Sequence, residues 1–315
     1  MTVASGNPEL EIIIVNYRTP HLVVDCLTSL QQERSDVNFR VIVVENGSGD
    51  DSRQIIHEAI VETGWTDWIS ILNSDANLGF AGGNNYGLSR TKDSKFVLLL
   101  NSDTIVQRGC LRRCLDVMNA NPSIGALSCK LLNRDRTIQN AARRFPHPFR
   151  ITLSQLGFPR RWPGMFAWAN LQHPGWDRNT ESRSVEWIGG AFLMIPRTVL
   201  NTVGFLDEDF FFYGEDVEFC HRVHRAGYLC WYEASVSTVH LGAGSSDDTR
   251  LPRGQRNKHR TRARYLKQQK LYGRWASIWV WTVDAIMDAL RSTRDLVFRP
   301  DSNKRPATRI QNRTD

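Results

Sequence analysis

Short apolar runs rich in β-branched residues and leucine recur at regular intervals through the first hundred residues. They are LEIIIVN at 10–16, RVIVVE at 40–45, WISIL at 68–72 and KFVLLL at 95–100. Each is too short for a buried helix and too continuously apolar for a half-exposed strand, so each reads as a strand covered on both faces. Helical patterns lie between and after them. His21 to Leu30 places Leu22, Val23, Cys26, Leu27 and Leu30 on one face, and 52–62 and 109–119 repeat the pattern. Strands alternating with helices require crossover connections, so the chain is expected to be α/β with a mostly parallel, Rossmann-like central sheet flanked by helices.

The later half is organised differently. Residues 145–180 carry Pro146, Pro148, Pro159, Pro163 and Pro174 and read as a long, partly irregular excursion. Structure resumes over Val185–Ile195. A helix is expected over 215–226, ending near Gly227, followed by one or two short strands over 228–239. After the glycine-rich turn at 242–246 the composition changes. Residues 250–315 hold 17 Lys/Arg against 5 Asp/Glu, whereas residues 1–249 hold 23 against 28. A mildly acidic body thus precedes a strongly basic tail, which points to an anionic partner. The expected domains are a catalytic body over 1–246, a basic amphipathic helical extension over 247–299 and a disordered tail over 300–315. No signal peptide and no membrane span are expected. The six cysteines form no CxxC pair and mostly sit in apolar runs, so buried reduced thiols of a cytoplasmic protein are expected.

In an open parallel sheet, ligands bind beyond the carboxyl ends of the strands. Three of these ends are polar: Val15-Asn16-Tyr17, Glu45-Asn46 and Asn101-Ser102-Asp103. Glu45 reads either as the acceptor for a pyrimidine N–H, with Tyr17 beside the base, or as a cap over the turn at Ser48. Gly47-Ser48-Gly49 lacks the third glycine of a dinucleotide fingerprint and reads as a tight turn. In NLGFAGGNNYG, Gly82 and Gly83 permit close backbone approach and Asn84 and Asn85 offer amides, toward a ligand or within a turn. Asp103 at a buried strand end suits Mg2+ or Mn2+. His240 matters only as its second ligand. His221 and His224, interleaved with arginines, read as a solvated helix face.

The stretch FFYGEDVEF at 211–219 drops from an aromatic run through Gly214 into Glu215 and Asp216. Apolar surroundings raise a carboxyl pKa and fix its position, as a general base needs. The alternative is two acids that merely favour a helix N-terminus. In the tail, Trp275, Trp279, Val283, Ile286 and Leu290 share one helical face. That face suits the headgroup region of an anionic membrane, or else docks on the body; no recognition motif supports nucleic acid.

IIIVNYRTPHLVVDCLTSL, VIVVENGSGDDS, NLGFAGGNNYGL, FVLLLNSDTIV, IGALSCKLL and GGAFLMIPRTVLNTVGFLDEDFFFYGEDVEFCHRVHRAGY, in this order, resemble the family 2 glycosyltransferases of GT-A fold. The likeness is greatest to their bacterial rhamnosyltransferase-like branch and covers residues 12–240. It implies an inverting, metal-dependent hexosyl transfer from a nucleoside-diphosphate sugar, with dTDP-L-rhamnose as the donor and a UDP-hexose or UDP-galactofuranose as the alternative. The implied acceptor is a glycan hydroxyl on a polyprenyl-linked carrier in surface polysaccharide synthesis, at the inner face of the plasma membrane. Asn101-Ser102-Asp103 stands where the family has its DxD motif, so the resemblance makes Asp103 a metal ligand and His240 its partner. It makes Asp216 the catalytic base and sets Glu215 toward the acceptor. Glu45 replaces a base-contacting Asp and is one methylene longer. Val15, Asn16, Tyr17, Glu45, Gly82, Asn85, Asn101, Ser102 and Gly190 are the expected donor contacts. Trp187 reads as a sugar-stacking or a core residue. A non-catalytic module that binds sugar nucleotide or anionic membrane is the reading from another class.

Overall fold

The first four strands are β1 (Leu10–Asn16), β2 (Phe39–Asn46), β3 (Ile69–Ser74) and β4 (Phe96–Asn101), joined through helices α1 (Pro20–Gln31), α2 (Ser52–Glu62) and α3 (Gly79–Leu88). This is a computed structural model, which describes residues 7–91, 94–172, 181–242 and 253–297. The four strands pair in parallel in the order β3-β2-β1-β4. Ile12, Ile13 and Ile14 of the central β1 are fully buried, as a strand covered by helices on both faces must be. Two apolar clusters, one on each face of the sheet, make up the core.

Strand β5 (Thr104–Val106), helix α4 (Cys110–Ala120) and strand β6 (Ile124–Leu132) follow, then β7 (Ala142–Arg143). Three short helices come next: α5 (Pro148–Gln155), α6 (Phe158–Arg161) and α7 (Pro163–Phe166). Beyond them lie β8 (Arg183–Val185), β9 (Trp187–Ile188), β10 (Phe192–Pro196), helices α8 (Arg197–Val203) and α9 (Glu215–Arg225), and β11 (Leu229–His240). The main sheet continues β4-β10-β6-β11-β5, with β8 against β11. Strand β10 runs antiparallel to β4 and β6, so the sheet is mixed at this point and parallel on its other side.

Three features add to the sequence reading. The described part of the proline-rich excursion, expected to be partly irregular, contains α5 to α7. Residues 124–132, assigned no element there, form a buried strand. Residues 229–240 form one strand whose pairing with β6 shifts register between Glu233 and Ser237. The glycine-rich 79–88 segment is a helix although glycine is a poor helix former. A Cβ on Gly83 would lie 2.9 Å from Val15 Cγ1, and one on Gly87 would lie 2.6 Å from Ile13 Cγ2. The missing side chains let α3 press onto β1, and packing overrides propensity. All six cysteines are free and buried.

The basic tail forms α10 (Arg253–Tyr272) and α11 (Arg274–Val297), with Gly273 at φ +89° between them. Helix α10 docks on the body. Lys270 pairs with Asp207 at 2.8 Å, His259 stacks on Phe211, and the buried Gln268 donates to the Pro146 carbonyl at 2.9 Å. Helix α11 packs back through Val280 and through Asp284, which accepts from Arg264 at 2.7 Å and Tyr265 at 3.1 Å. Its other face leaves Trp275 73% and Trp281 58% exposed. The expected boundary at 246/247 and the tail at 300–315 lie outside the described residues. Among the described residues no helix is long and apolar enough to cross a membrane.

Candidate active site

Strand register brings the three polar tips together. Asn16 on β1 stands beside Glu45 on β2, and Val15 stands beside Asn101 on β4. The Asn16 side-chain amide donates to Glu45 Oε2, while its Oδ1 accepts from the Thr19 backbone N–H and hydroxyl, both at 3.1 Å. Glu45 Oε1 accepts from the Ser48 N–H at 2.8 Å. Glu45 is therefore a cap of the Gly47–Ser48 turn and an anchor for Asn16, and any contact with a nucleobase comes in addition. Beside this tip, Val15, Tyr17, Asn46, Gly79, Phe80 and Phe212 line a narrow groove.

The second group forms because β5 pairs antiparallel with the end of β11, setting His240 opposite Thr104. His240 Nε2 then lies 3.3 Å from Asp103 Oδ1 and 3.2 Å from Asn101 Nδ2. Its Nδ1 lies 2.7 Å from Gln139 Oε1, and the Gln139 amide nitrogen donates to the His240 carbonyl and to Asn133 Oδ1. This network orients the Gln139 carboxamide with its oxygen toward the ring, so the imidazole proton is assigned to Nδ1. Nε2 then accepts from the Asn101 amide and also lies against the buried Asp103 carboxylate, an arrangement that a cation between ring and carboxylate would stabilise. Asn101 Oδ1 is buried and lacks a hydrogen-bond partner among the described residues. A carboxylate, an imidazole nitrogen and an orphaned amide oxygen make a donor set that fits Mg2+ or Mn2+. No third His, Cys, Asp or Glu gathers there among the described residues. Substrate oxygens and water would complete the shell.

The acid pair opens α9. Tyr213, at φ +71°, and Gly214, at φ +106°, turn the chain sharply into the helix. A Cβ on Gly214 would lie 3.0 Å from the Phe210 ring. Asp216 Oδ1 accepts from the Val217 N–H at 2.8 Å, and Oδ2 accepts from the Gly190 N–H at 3.3 Å. Burial pushes Asp216 above the usual carboxylate range, while the Lys267 charge and the backbone donors pull it back. Burial, and then the Asp216 charge, push Glu215 up to about 8. Glu215 Oε2 is buried without a hydrogen-bond partner among the described residues. Near neutral pH Glu215 is therefore the member of the pair that keeps its proton. The adjoining Ala191 carbonyl accepts from the Asn101 N–H at 3.0 Å. Residues 189–191 thus tie Asp216 to the β4 tip that carries Asp103.

The other expected site residues have partners within the protein. Asn85 is committed to a neighbouring loop, donating to the Leu206 carbonyl and Glu208, both at 2.8 Å, and accepting from the Leu206 N–H. A Cβ on Gly82 would meet Leu78 at 2.9 Å and then Glu208, so this face of α3 meets protein. Trp187 packs on the second core cluster, and its indole N–H donates to the Arg144 carbonyl at 2.9 Å, which is the core role. Ser102 is buried, its hydroxyl 3.4 Å from that of Thr19. Two residues had no sequence signal of their own. Gln139 lies in a polar stretch, and Lys267 is one of many basic residues in the tail.

Comparison with known proteins gives the family and the fold. The glycosyl transferase family 2 model matches residues 11–168, and the glycosyl transferase family group 2 model matches residues 96–287. An N-acetylglucosaminyl-diphospho-decaprenol L-rhamnosyltransferase of Mycobacterium tuberculosis is 26% identical over 299 residues, covering 90% of this chain and 91% of that protein. The low-salt glycan biosynthesis hexosyltransferase Agl10 of Haloferax volcanii is 27% identical over 235 residues, covering 74% of this chain and 67% of that protein. A Pyrobaculum calidifontis mannosyltransferase solved with GDP-Man and Mn2+ superposes with a TM-score of 0.54 at 17% identity, over 93% of this chain and 81% of that one. At that identity the likeness establishes the GT-A fold.

Proposed function

The chain belongs to glycosyl transferase family 2, and on that premise we propose that it transfers L-rhamnose from dTDP-L-rhamnose, with inversion, to a hydroxyl of a polyprenyl-linked glycan. The observation that carries the reaction type is the bridge from Asp216 through Gly190 and Ala191 to the Asn101–Asp103 tip and His240. It links the half-buried Asp216 carboxylate to the strand end that carries Asp103, which supports reading the two as the base and the cation site of one reaction. In this reading Asp216 accepts the proton of the acceptor hydroxyl. The acceptor oxygen forms its bond to the anomeric carbon from one face, and the bond to the phosphate oxygen breaks on the other, taking its electron pair with the nucleoside diphosphate. A base so placed contributes roughly 10²–10⁴-fold. Mg2+ or Mn2+ held by Asp103 and His240 would supply charge neutralisation for the departing diphosphate. Val15, Tyr17 and Phe80, at the groove beside the Asn16–Glu45 anchor, would seat the donor.

The donor and acceptor choices are supported by the mycobacterial relative, named for L-rhamnose and a decaprenol-diphosphate acceptor. The exposed Trp275, Trp281 and Ile286 on α11, next to a basic α10, support action at an anionic membrane face on the cytoplasmic side. The test is transfer and thermal shift with dTDP-L-rhamnose, UDP-glucose, UDP-galactose and UDP-galactofuranose, each with Mn2+ and a polyprenyl diphosphate-linked N-acetylglucosamine. Turnover with dTDP-L-rhamnose alone is expected. Turnover only with a UDP-sugar would replace the donor, and none with any sugar nucleotide would overturn the enzymatic reading.

A further inference from the structure

Helix α10 presents Ala263, Lys267 and Leu271 to the body at four-residue intervals. Ala263 and Leu271 are buried, and the half-buried Lys267 lies between them. Its Cδ lies 3.7 Å from where a Cβ on Gly214 would stand, directly behind the turn that delivers Glu215 and Asp216. Buried ammonium groups are costly unless a counter-charge faces them. The neighbouring cations have other engagements. Arg264 on the same helix is held by Asp284, Lys270 by Asp207 and Asp209, Arg222 on α9 by Glu218, and Arg143 of β7 lies over the Trp187 ring. Lys267 makes no direct ion pair among the described residues, and the acids at the turn it packs behind are Glu215 and Asp216.

We propose that Lys267 is a positioning residue for the base: its ammonium holds the Glu215–Asp216 pair in the one-proton form, with Asp216 as the anion, so the docked C-terminal helix is part of the active site. This rests on Asp216 being the base. The geometry explains why the buried Glu215, with an oxygen unpartnered among the described residues, and the adjacent half-buried Asp216 are tolerated at one turn: the positive charge that offsets them comes from a helix about fifty residues further along. Burial lowers the Lys267 pKa while the two carboxylates raise it, the reciprocal of its effect on them.

The test uses full-length protein labelled with 13C at Asp and Glu side-chain carboxyls. The titration midpoints of the coupled pair are followed in wild type, Lys267→Met, Lys267→Gln, Lys267→Arg and Lys270→Met, alongside the pH profile of kcat/KM. Removing the charge in Lys267→Met, or in Lys267→Gln if the first does not fold, should move the midpoints up by roughly one unit. The acid limb of kcat/KM should move with them. Lys267→Arg should restore wild-type midpoints, and Lys270→Met should leave them unmoved. Unchanged midpoints in a folded, charge-removed variant would overturn the proposal, as would a rate loss equal at every pH. The carboxyl titration needs no turnover. Shifted midpoints without sugar transfer would sink the functional reading alone, and transfer with unshifted midpoints would sink the Lys267 proposal alone.

Discussion

Glu215→Gln should stabilise the protein at alkaline pH while changing it little in mild acid. Glu215 is buried, 6% exposed, and its pKa is held at about 8 against 4.5. Between those values the unfolded chain has released this proton and the folded chain keeps it. The folded state therefore binds more protons, and stability falls as pH rises through that window. At about 1.4 kcal/mol per pKa unit, the full shift corresponds to a loss on the order of 5 kcal/mol by pH 8. Gln keeps the shape and the neutral form, so the variant escapes the loss. Asp216 is shifted in the same direction and adds to the slope in both proteins. The assay is urea unfolding at pH 5, 6, 7 and 8. The variant's lead should grow from roughly 1 kcal/mol or less at pH 5 to roughly 2–5 kcal/mol at pH 8. Parallel pH slopes for the two proteins would refute the reasoning, because Glu215 would then ionise in the fold as it does in the unfolded chain.

Two further outcomes follow from the site and the tail. Gln139→Leu removes the acceptor that fixes the proton on His240 Nδ1, and should weaken Mn2+ binding roughly 10- to 100-fold by calorimetry; unchanged affinity would show that the tautomer is set elsewhere. Trp275→Ser with Trp281→Ser removes two exposed rings from α11, each worth roughly 1.5–3 kcal/mol if buried in lipid. Flotation with phosphatidylglycerol-containing liposomes should fall roughly 10²–10⁴-fold in affinity, with transfer to a detergent-soluble acceptor retained; equal flotation would remove the membrane role.

The parallel half of the sheet is legible in the sequence because its strands are buried on both faces and so appear as unbroken Ile/Val/Leu runs. Their polar ends are legible for the same reason: Asn16, Glu45 and Asn101 interrupt those runs, and parallel register sets the interruptions side by side. Helix α3 is not, since Gly83 and Gly87 are chosen for contact with Val15 and Ile13, at the expense of helix propensity. The second half mixes short strands of both directions, and nothing local announces that β10 must run antiparallel between β4 and β6. Glu215 and Asp216 stand out as charges after an aromatic run. Lys267 does not, because what distinguishes it from the other basic residues of the tail is the turn it packs against.

The central claim is that Asp216 is a base acting beside a donor site it does not itself build. Single-turnover transfer by Asp216→Asn, measured with donor affinity by calorimetry, tests it most directly. A rate loss of roughly 10²–10⁴-fold with unchanged affinity for the donor is expected. Transfer at the wild-type rate would contradict the assignment, and loss of donor binding in proportion to the rate would make Asp216 a donor contact instead of a base.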